Sequence, residues 1–427
     1  MMKNTKSTPV HFTGYQVFMI AVLALLQFTV ILDFMVMSPL SAFLIPALHI
    51  STGQFGVVVS AYAFSAGISG LLAAGFADKY DRKKLLLFFY TGFLTGTVLC
   101  AVAPTYHFLL FARIITGLFG GVLSSVSMAI VTDLFKLEVR GRVMGFVQMA
   151  FAASQVLGIP IGLVLTNHFG WHSPFWLVAG FGLLLGIAIV LYMKPITGHL
   201  QLQHDRSPVQ HLLKTVTFSP YILAFFTTTM LATGGFMLMP FGSAFGVNNL
   251  GLTNEQLPTL YFVSGIFSLL FGPLIGILSD KAGKYATFVG GTVVSIAMVV
   301  IYTNLGITPL WLVIAINVVL FAGIMGRMIS SQALISAIPE PQDRGAFMSI
   351  NSSVQQISGG IASATAGLII YQATPTSKIE HYDTLGYIVI LTMIIVAVMM
   401  YFISRQVARK MNAPNRQPAV IDAIGVE

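Results

Sequence analysis

Three ionisable side chains interrupt long apolar runs of this sequence and are the residues best placed to do chemistry: Asp33, Arg113 and Arg327. A charge inside hydrocarbon costs at least about 2.5–3.5 kcal/mol on insertion scales, so each should have a partner or a function. A carboxyl at such a site can take up and release a proton. A guanidinium can modulate that exchange or bind an anion.

Asp33 and Arg113 can be placed along their helices by counting residues. Asp33 lies roughly 18 residues, or about 27 Å, into the first apolar run, and Arg113 lies roughly eight residues, or about 12 Å, into the fourth run from the opposite side. These depths can coincide in tilted helices. We therefore expect Asp33 to bind a coupling proton and Arg113 to modulate its pKa. The alternative is a static pair that only fixes helix packing.

Arg327 has no evident acidic partner in the apolar runs of the second half of the chain. If it faces a cavity, an unpaired guanidinium would suit a carboxylate or phosphate on a substrate. The alternative is that it bonds carbonyl groups at a helix end or extends towards water. Together the three side chains carry a net charge of +1, which favours an anionic or zwitterionic solute.

The composition indicates which elements must position these residues. Only 8% of the 427 residues are charged and 56% are hydrophobic, whereas soluble domains carry about 25% charged residues. Such a chain cannot cover a water-facing surface, so its solvent is mostly lipid. The formal charge of +8 does not indicate nucleic acid, because the basic residues form short clusters between apolar runs. The lone cysteine, Cys100, excludes an intrachain disulfide.

Twelve apolar runs predict twelve membrane-spanning helices, since each span takes roughly 20 residues. They lie near residues 15–44, 53–77, 85–103, 106–134, 142–166, 172–193, 219–246, 255–279, 285–305, 309–336, 345–373 and 384–404. Of the 22 Lys and Arg residues, 19 fall on one side of this layout, Lys378 falls on the other, and two lie within helices. By the positive-inside rule, both termini are cytoplasmic. We expect a multi-pass monomer of the bacterial inner membrane.

The chain repeats itself in two halves. Asp78 and Asp280 follow the second and eighth predicted helices and are 202 positions apart, while Arg140 and Arg344, each followed by glycine, are 204 apart. A nearly constant offset indicates duplicated six-helix units with a solute site at their interface. We expect an all-α membrane protein with a first bundle over 1–193, a cytoplasmic linker over 194–217, a second bundle over 218–410 and a tail over 411–427.

The linker contains His199, His204 and His211, which raise the alternative of a metal site. Their spacing is irregular and no acidic or cysteine cluster joins them, so a solvated linker is favoured and no metal is expected. The sequence has no Gly-rich phosphate loop and no nucleophile–base pair at legible spacing. These absences argue against ATP as the energy source and against an enzyme.

The loop after the second helix carries a family resemblance. Its residues Asp-Lys-Tyr-Asp-Arg-Lys-Lys at 78–84 resemble the signature loop of the major facilitator superfamily, and the resemblance covers essentially the whole chain. It implies the fold of that family, with two pseudo-symmetric bundles, and a cytoplasmic gate formed by Asp78, Arg82, Asp133, Asp280 and Lys281. The alternative is a basic loop that only sets membrane orientation, with solvated acids.

Two further segments resemble motifs of the proton-coupled efflux branch of that family. Arg113-Ile-Ile-Thr116-Gly117 in the fourth helix is similar to the motif of twelve-span proton-coupled antiporters. In the fifth helix, Gly158, Pro160 and Gly162 resemble the Gly-Pro antiporter motif with one residue inserted between Gly and Pro. Together these segments imply a drug- or sugar-efflux-type permease.

Polar and aromatic side chains within the predicted spans are candidates for the lining of a substrate cavity. They are Gln27, Tyr62, Gln148, Gln155, Tyr261, Asn317, Asn351 and Gln355, together with Arg327. Asn351 and Gln355 are four residues apart, which places them on one helix face. Each of these side chains could instead form a hydrogen bond between helices.

The sequence therefore predicts a secondary transporter that exports a small organic solute by alternating access. Its energy source would be the proton gradient, and no cofactor is expected. One alternative keeps the fold and reverses the direction, with proton-coupled uptake of an anionic metabolite or metal chelate. A second alternative is a receptor derived from a transporter that no longer transports, which intramembrane acids argue against.

Overall fold

Helices make up nearly the whole structure. The computed structural model describes residues 12–73, 77–135, 137–201, 214–340 and 343–412. Within these ranges, eleven helices are long and apolar enough to cross a membrane, and Arg344–Ile369 is a further long helix. The described β-pairing is a single isolated bridge between Tyr371 and Glu380. The expected all-α membrane architecture is therefore confirmed.

The long helices are numbered α1 to α12 in chain order. They are α1 (Gly14–Val36), α2 (Thr52–Ala73), α3 (Arg82–Ala101), α4 (Tyr106–Leu134), α5 (Leu137–Ala153, a π-helical turn Ser154–Gly158, then Ile159–Phe169), α6 (Ser173–Tyr192), α7 (Ser219–Asn248), α8 (Leu257–Ala282), α9 (Lys284–Thr303), α10 (Leu310–Ile335), α11 (Arg344–Ile369) and α12 (Tyr382–Asn412). Two predicted ends were wrong. Helix α1 stops at Val36 rather than near residue 44, and α12 continues to Asn412, past the predicted end of the last helix near residue 404.

Helices α1 and α7 are interrupted at equivalent places. A turn and a short helix, Ser41–Ala47, follow α1, and α7 passes through a 3-10 turn at Met239–Phe241. Pro39 and Pro240 lie in these interruptions, where a proline cannot donate a backbone hydrogen bond to continue the helix. The tripeptide Ser-Ala-Phe follows in both halves, and its serines are 202 positions apart. This offset matches the one that separates Asp78 from Asp280.

The two halves meet at these serines. The hydroxyl oxygens of Ser41 and Ser243 are 2.7 Å apart, and Ser41 Oγ accepts a hydrogen bond from Ala244 N at 3.2 Å. The Ser38 hydroxyl donates to the Met239 carbonyl oxygen. We call Ser38, Ser41 and Ser243, which are all buried, the serine clasp. Because equivalent residues contact each other, the pseudo-two-fold axis passes between Ser41 and Ser243.

The opposite end of the molecule carries the basic loops. There, the backbone N–H of Lys194 donates to Tyr15 Oη, the N–H of Ile196 donates to the Asp81 carboxylate, and Lys410 lies 3.2 Å from Glu340. We call this end the basic face and the other end the clasp face. The described hydrogen bonds between the two halves all lie towards the clasp face, and they include Asn167 Nδ2 donating to the Asn254 carbonyl oxygen at 3.0 Å.

Helix α11 is the one long helix of the described chain that falls short of the apolar character of a typical span. It lies between α2 of the first half and α7 of the second, so its polar side chains are accommodated within protein. Small residues permit the α2 contact: a Cβ on Gly56 would lie 2.7 Å from the Ser363 carbonyl oxygen. Close approach of helices through glycine and serine is typical of membrane interfaces.

Candidate functional site

Asp33 of α1 and Arg113 of α4 form an ion pair inside the first half. Arg113 NH1 lies 2.7 Å from Asp33 Oδ2, and both side chains are 0% exposed. Thr97 of α3 donates a hydrogen bond to Asp33 Oδ1 at 3.2 Å. The structure therefore brings together the two residues whose depths, counted along their helices, can coincide when the helices are tilted.

The Arg113 guanidinium has more donors than the pair uses. Its Nε and NH2 groups are buried and donate no hydrogen bond within the described part of the chain. Its central carbon lies 4.5 Å from the centroid of the Tyr62 ring, a cation–π distance. Arg113 can thus keep a stabilising contact with Tyr62 while its bonds to Asp33 change.

Glycines allow Tyr62 to lie against Arg113. A Cβ on Gly117 would lie 2.4 Å from the Tyr62 carbonyl oxygen, and one on Gly121 would lie 2.3 Å from the Ala66 carbonyl oxygen. Neither distance leaves room for a larger side chain without moving α2 from α4. The Thr116-Gly117 part of the antiporter-like segment therefore has a packing role at this site.

The antiporter-like segment of α5 packs on α1 beside Asp33. A Cβ on Gly158 would lie 2.6 Å from the Leu32 side chain, and one on Gly162 would lie 3.3 Å from the Val36 side chain. Pro160 follows the π-helical turn and is buried. These residues bring α5 close to the acid-bearing turn of α1, but none of them contacts the carboxylate in the described structure.

Aromatic rings connect the ion pair to the second half. Phe34, next to Asp33 in the chain, has its ring centroid 5.2 Å from that of Tyr62 and 5.8 Å from that of Phe236 on α7. Such distances are typical of contacting aromatic pairs. A displacement of Asp33 or Tyr62 would therefore change the packing of Phe34 against Phe236 of α7.

A small cavity that is bordered by Tyr62 lies between the halves. Its volume is about 50 Å³, and α1, α2, α4 and α11 form its walls. Its polar lining consists of Tyr62, Ser124, Ser125, Ser349, Ser352, Ser353 and Gln356. We call this space the hydroxyl-lined cavity. Tyr62 was among the residues expected to line a cavity, whereas the serines were not. Ser349, Ser352, Ser353 and Gln356 are spaced i, i+3, i+4 and i+7 on α11, and this spacing was the available signal.

Several side chains expected to line the cavity form hydrogen bonds between or within helices instead. Gln27 is buried and accepts a hydrogen bond from Ser124 at 3.1 Å. The Asn351 side chain accepts from Thr228 of α7 at 2.6 Å. Asn317 donates to the Val313 carbonyl oxygen one turn earlier. The Gln27 and Asn351 contacts are hydrogen bonds between helices, whereas the Asn317 bond stays within α10.

Asn351 and Gln355 lie four residues apart within α11, but their surroundings differ. Asn351 is buried against α7, whereas Gln355 is exposed, and neither lines the hydroxyl-lined cavity. Gln155 and Tyr261 are partly buried outside that cavity, with Tyr261 packed on the apolar core. The side chain of Gln148 lies outside the described part of the structure.

Arg327 does not reach the hydroxyl-lined cavity. It is 8% exposed, and its guanidinium carbon lies 5.7 Å from the centroid of the Phe288 ring on α9. Its buried Nε donates no hydrogen bond within the described chain. Arg327 therefore points into the second bundle, and the argument for an anionic solute that rested on it loses its geometric basis.

Two of the residues expected to form a cytoplasmic gate, Arg82 and Asp133, contact each other. Arg82 Nε lies 2.9 Å from Asp133 Oδ2, and Arg82 NH1 donates to the Ala77 carbonyl oxygen at 3.0 Å. The side chain of Asp78 lies outside the described part of the structure. In the second half, Asp280 pairs at 3.1 Å with Lys284, four residues further along the chain, rather than with Lys281. That pair is exposed and joins the end of α8 to the first residue of α9, so it does not reproduce the Arg82–Asp133 contact between α3 and α4.

No group of three His, Cys, Asp or Glu side chains that could hold a metal occurs among the described residues. His204 and His211, which raised the metal alternative, lie outside those residues, as does the side chain of His199.

Comparison with known proteins gives consistent matches. The family model described as Major Facilitator Superfamily matches residues 23–363 and 224–423. An uncharacterized MFS-type transporter of Bacillus subtilis, YceJ, is 28% identical over 82% of this chain and 88% of that protein. Multidrug resistance protein 3 of the same organism is 32% identical over 36% of this chain and 30% of that protein.

A solved structure shares the fold. A bacterial homolog of the human lysosomal transporter Spinster, in an inward-facing and unoccupied conformation, superposes with a TM-score of 0.74, covering 96% of this chain and 100% of that one. Its sequence identity of 16% supports the likeness of fold alone.

Proposed function

Because this chain belongs to the major facilitator superfamily, and is thus a multi-pass membrane transporter rather than an enzyme, we propose that it exports a small organic solute in exchange for protons. The solute would cross the bacterial cytoplasmic membrane by alternating access, with the basic face in the cytoplasm. The positive-inside rule supports this orientation.

The Asp33–Arg113 pair carries the proposal. Both partners are 0% exposed, and placing a carboxylate in a membrane domain is costly enough that it is usually retained for function. Replacing a buried ion pair by well-packed apolar residues is often neutral or stabilising, so structural need alone explains the pair poorly. A proton on Asp33 would neutralise the carboxylate and remove most of its attraction to Arg113.

A movement of Arg113 away from Asp33 would be transmitted to the second half through contacts between aromatic rings. Arg113 rests on Tyr62, Tyr62 contacts Phe34, and Phe34 contacts Phe236 of α7. In this mechanism the protonation state of Asp33 biases the packing of α7, which carries Ser243 of the serine clasp just after its 3-10 turn. The proton thus changes the relative stability of two arrangements of the halves, as coupling between sites requires.

Relatives support export over uptake. Two proteins of Bacillus subtilis with similar sequences are named multidrug resistance proteins, although each match covers only part of this chain. Uptake by proton symport uses the same residues, so the test must distinguish the two directions.

We expect Asp33→Asn to abolish proton-driven accumulation in everted membrane vesicles. Because ligand binding raises stability by mass action, a thermal-shift screen of the purified protein against polyols, organic acids, amines and quaternary ammonium dyes selects the solute. The selected solute is then supplied to the vesicles in radiolabelled form. Wild-type vesicles should accumulate it while their proton gradient falls. The variant should accumulate at least about tenfold less, since its amide cannot take up the coupling proton.

Glu255→Gln is the matched control, because it removes an exposed carboxylate near the clasp face and should leave accumulation unchanged. If Asp33→Asn vesicles accumulate solute as the wild type does, Asp33 is not the proton carrier. If the wild type accumulates solute only in right-side-out vesicles, the protein is an importer.

A further inference from the structure

We propose that the hydroxyl-lined cavity binds a neutral, hydroxyl-rich solute group about the size of glycerol and discriminates against charged groups. This inference rests on the proposed transport function and names the substrate class of the site between the halves. It replaces the anionic solute that the sequence alone had favoured.

Unused hydrogen-bonding capacity is the first observation. The hydroxyls of Ser349, Ser352 and Ser353 on α11 lie at spacings of three and four residues, so they share one helix face, and this face borders the cavity. A helical serine commonly bonds the carbonyl three or four residues earlier, as Ser69 and Ser127 do here. The three α11 hydroxyls form no such bond within the described chain and remain available to a ligand.

The opposite wall offers similar groups. Ser125 of α4 also lines the cavity, and its hydroxyl has no hydrogen-bond partner among the residues described. Gly70 and Gly121 line the same space, and a Cβ on Gly70 would lie 3.4 Å from Ser353 Oγ. The glycines thus keep the space open beside the serines. A ligand here would touch both halves of the molecule.

The charge of the lining is the second observation. The cavity is bordered by no Asp, Glu, Lys, Arg or His in the described structure. Asp33 and Arg113 are enclosed behind Tyr62, and Arg327 lies on Phe288 in the second bundle. A charged group placed between these walls would lose its hydration without gaining a counter-ion, which is unfavourable. Several hydroxyls can replace the water around a neutral polyol group, because each is both a donor and an acceptor.

The volume sets the size of the group. A space of about 50 Å³ holds a few water-sized atoms, since one water needs roughly 10–15 Å³ by the same measure. Glycerol is a suitable neutral probe. Glycerate and 3-amino-1,2-propanediol share its three-carbon skeleton and add a negative or a positive charge.

Saturation-transfer NMR of the purified, full-length protein in detergent tests the proposal with these three probes. Glycerol should receive saturation from the wild-type protein, and both charged probes should bind at least about tenfold more weakly. The Ser352→Ala/Ser353→Ala protein should bind glycerol roughly thirtyfold more weakly, since it loses two hydrogen bonds that contribute about 1 kcal/mol each. Ser125 lines the same cavity from the first half, so Ser125→Ala should also weaken glycerol binding.

Ser331→Ala is the matched control, because that hydroxyl bonds the Met328 carbonyl oxygen within α10 and should leave glycerol binding unchanged. Absence of saturation transfer to glycerol, equal binding of a charged probe, or unchanged binding by both serine variants would overturn the proposal. This equilibrium measurement involves no gradient and no transport direction. A negative result in this measurement therefore does not contradict the proposal of proton-coupled export. Absence of export in vesicles likewise does not contradict the proposal of this binding site.

Discussion

Arg113→Met is expected to lower the free energy of unfolding by roughly 3–5 kcal/mol and to abolish transport. The substitution removes the ion-pair partner of Asp33, whose carboxylate then keeps only the Thr97 hydrogen bond in a site that is 0% exposed. Leaving one partner of a buried ion pair uncompensated typically costs this much. Denaturation in mixed detergent–SDS micelles, followed by tryptophan fluorescence, measures the loss.

A double-mutant cycle separates the pair from general packing effects. Asp33→Asn combined with Arg113→Met leaves no unpaired charge, so its cost should fall short of the sum of the two single costs by about 0.5–3 kcal/mol. Gln27 lies on α1 with Asp33, and Gln27→Leu breaks its hydrogen bond with Ser124 of α4. The stability cost of Gln27→Leu should be additive with that of Arg113→Met. Additive costs for Asp33→Asn and Arg113→Met would show that the two side chains do not depend on each other.

A Ser41→Cys/Ser243→Cys protein is expected to lose more than about nine-tenths of its transport on oxidation and to recover it on reduction. The two hydroxyl oxygens are 2.7 Å apart, which brings the side chains within reach of a disulfide. The cross-link would hold the halves together at the clasp face, where alternating access requires them to separate. Vesicle accumulation before and after oxidation measures the effect.

The single variants Ser41→Cys and Ser243→Cys serve as controls and should be insensitive to oxidation. The native Cys100 is fully buried beside Thr116, so it cannot pair with either new thiol. Full transport by the oxidised double variant, with the disulfide verified by mass spectrometry, would mean that the halves do not part at the serine clasp.

The ion pair and the duplication could be predicted because both depend on position along the chain. Helix rise per residue is fixed, so counting placed Asp33 and Arg113 at depths that can coincide when the helices are tilted. The repeated Ser-Ala-Phe can also be recognised in the sequence at an offset of 202. If the interruptions of α1 and α7 lie on the pseudo-two-fold axis, the contact between Ser41 and Ser243 follows from the symmetry.

The direction in which a side chain points could not be predicted in the same way. Helical periodicity shows which residues share a face, but packing decides what that face contacts. Asn351 turns towards Thr228 of α7, so a different face of α11 borders the cavity. Arg327 points to Phe288 because α9 and α10 approach closely at Gly291, where a Cβ would lie 2.7 Å from the Gly323 carbonyl oxygen.

Proton release from detergent-solubilised protein tests the role of Asp33 most directly. The solute selected by thermal shift is added to weakly buffered protein, and a pH indicator records the protons set free. We expect about one proton per wild-type molecule, because one carboxyl changes its protonation when the solute binds, and none from Asp33→Asn. Equal release by the two proteins would contradict the proposed role of Asp33.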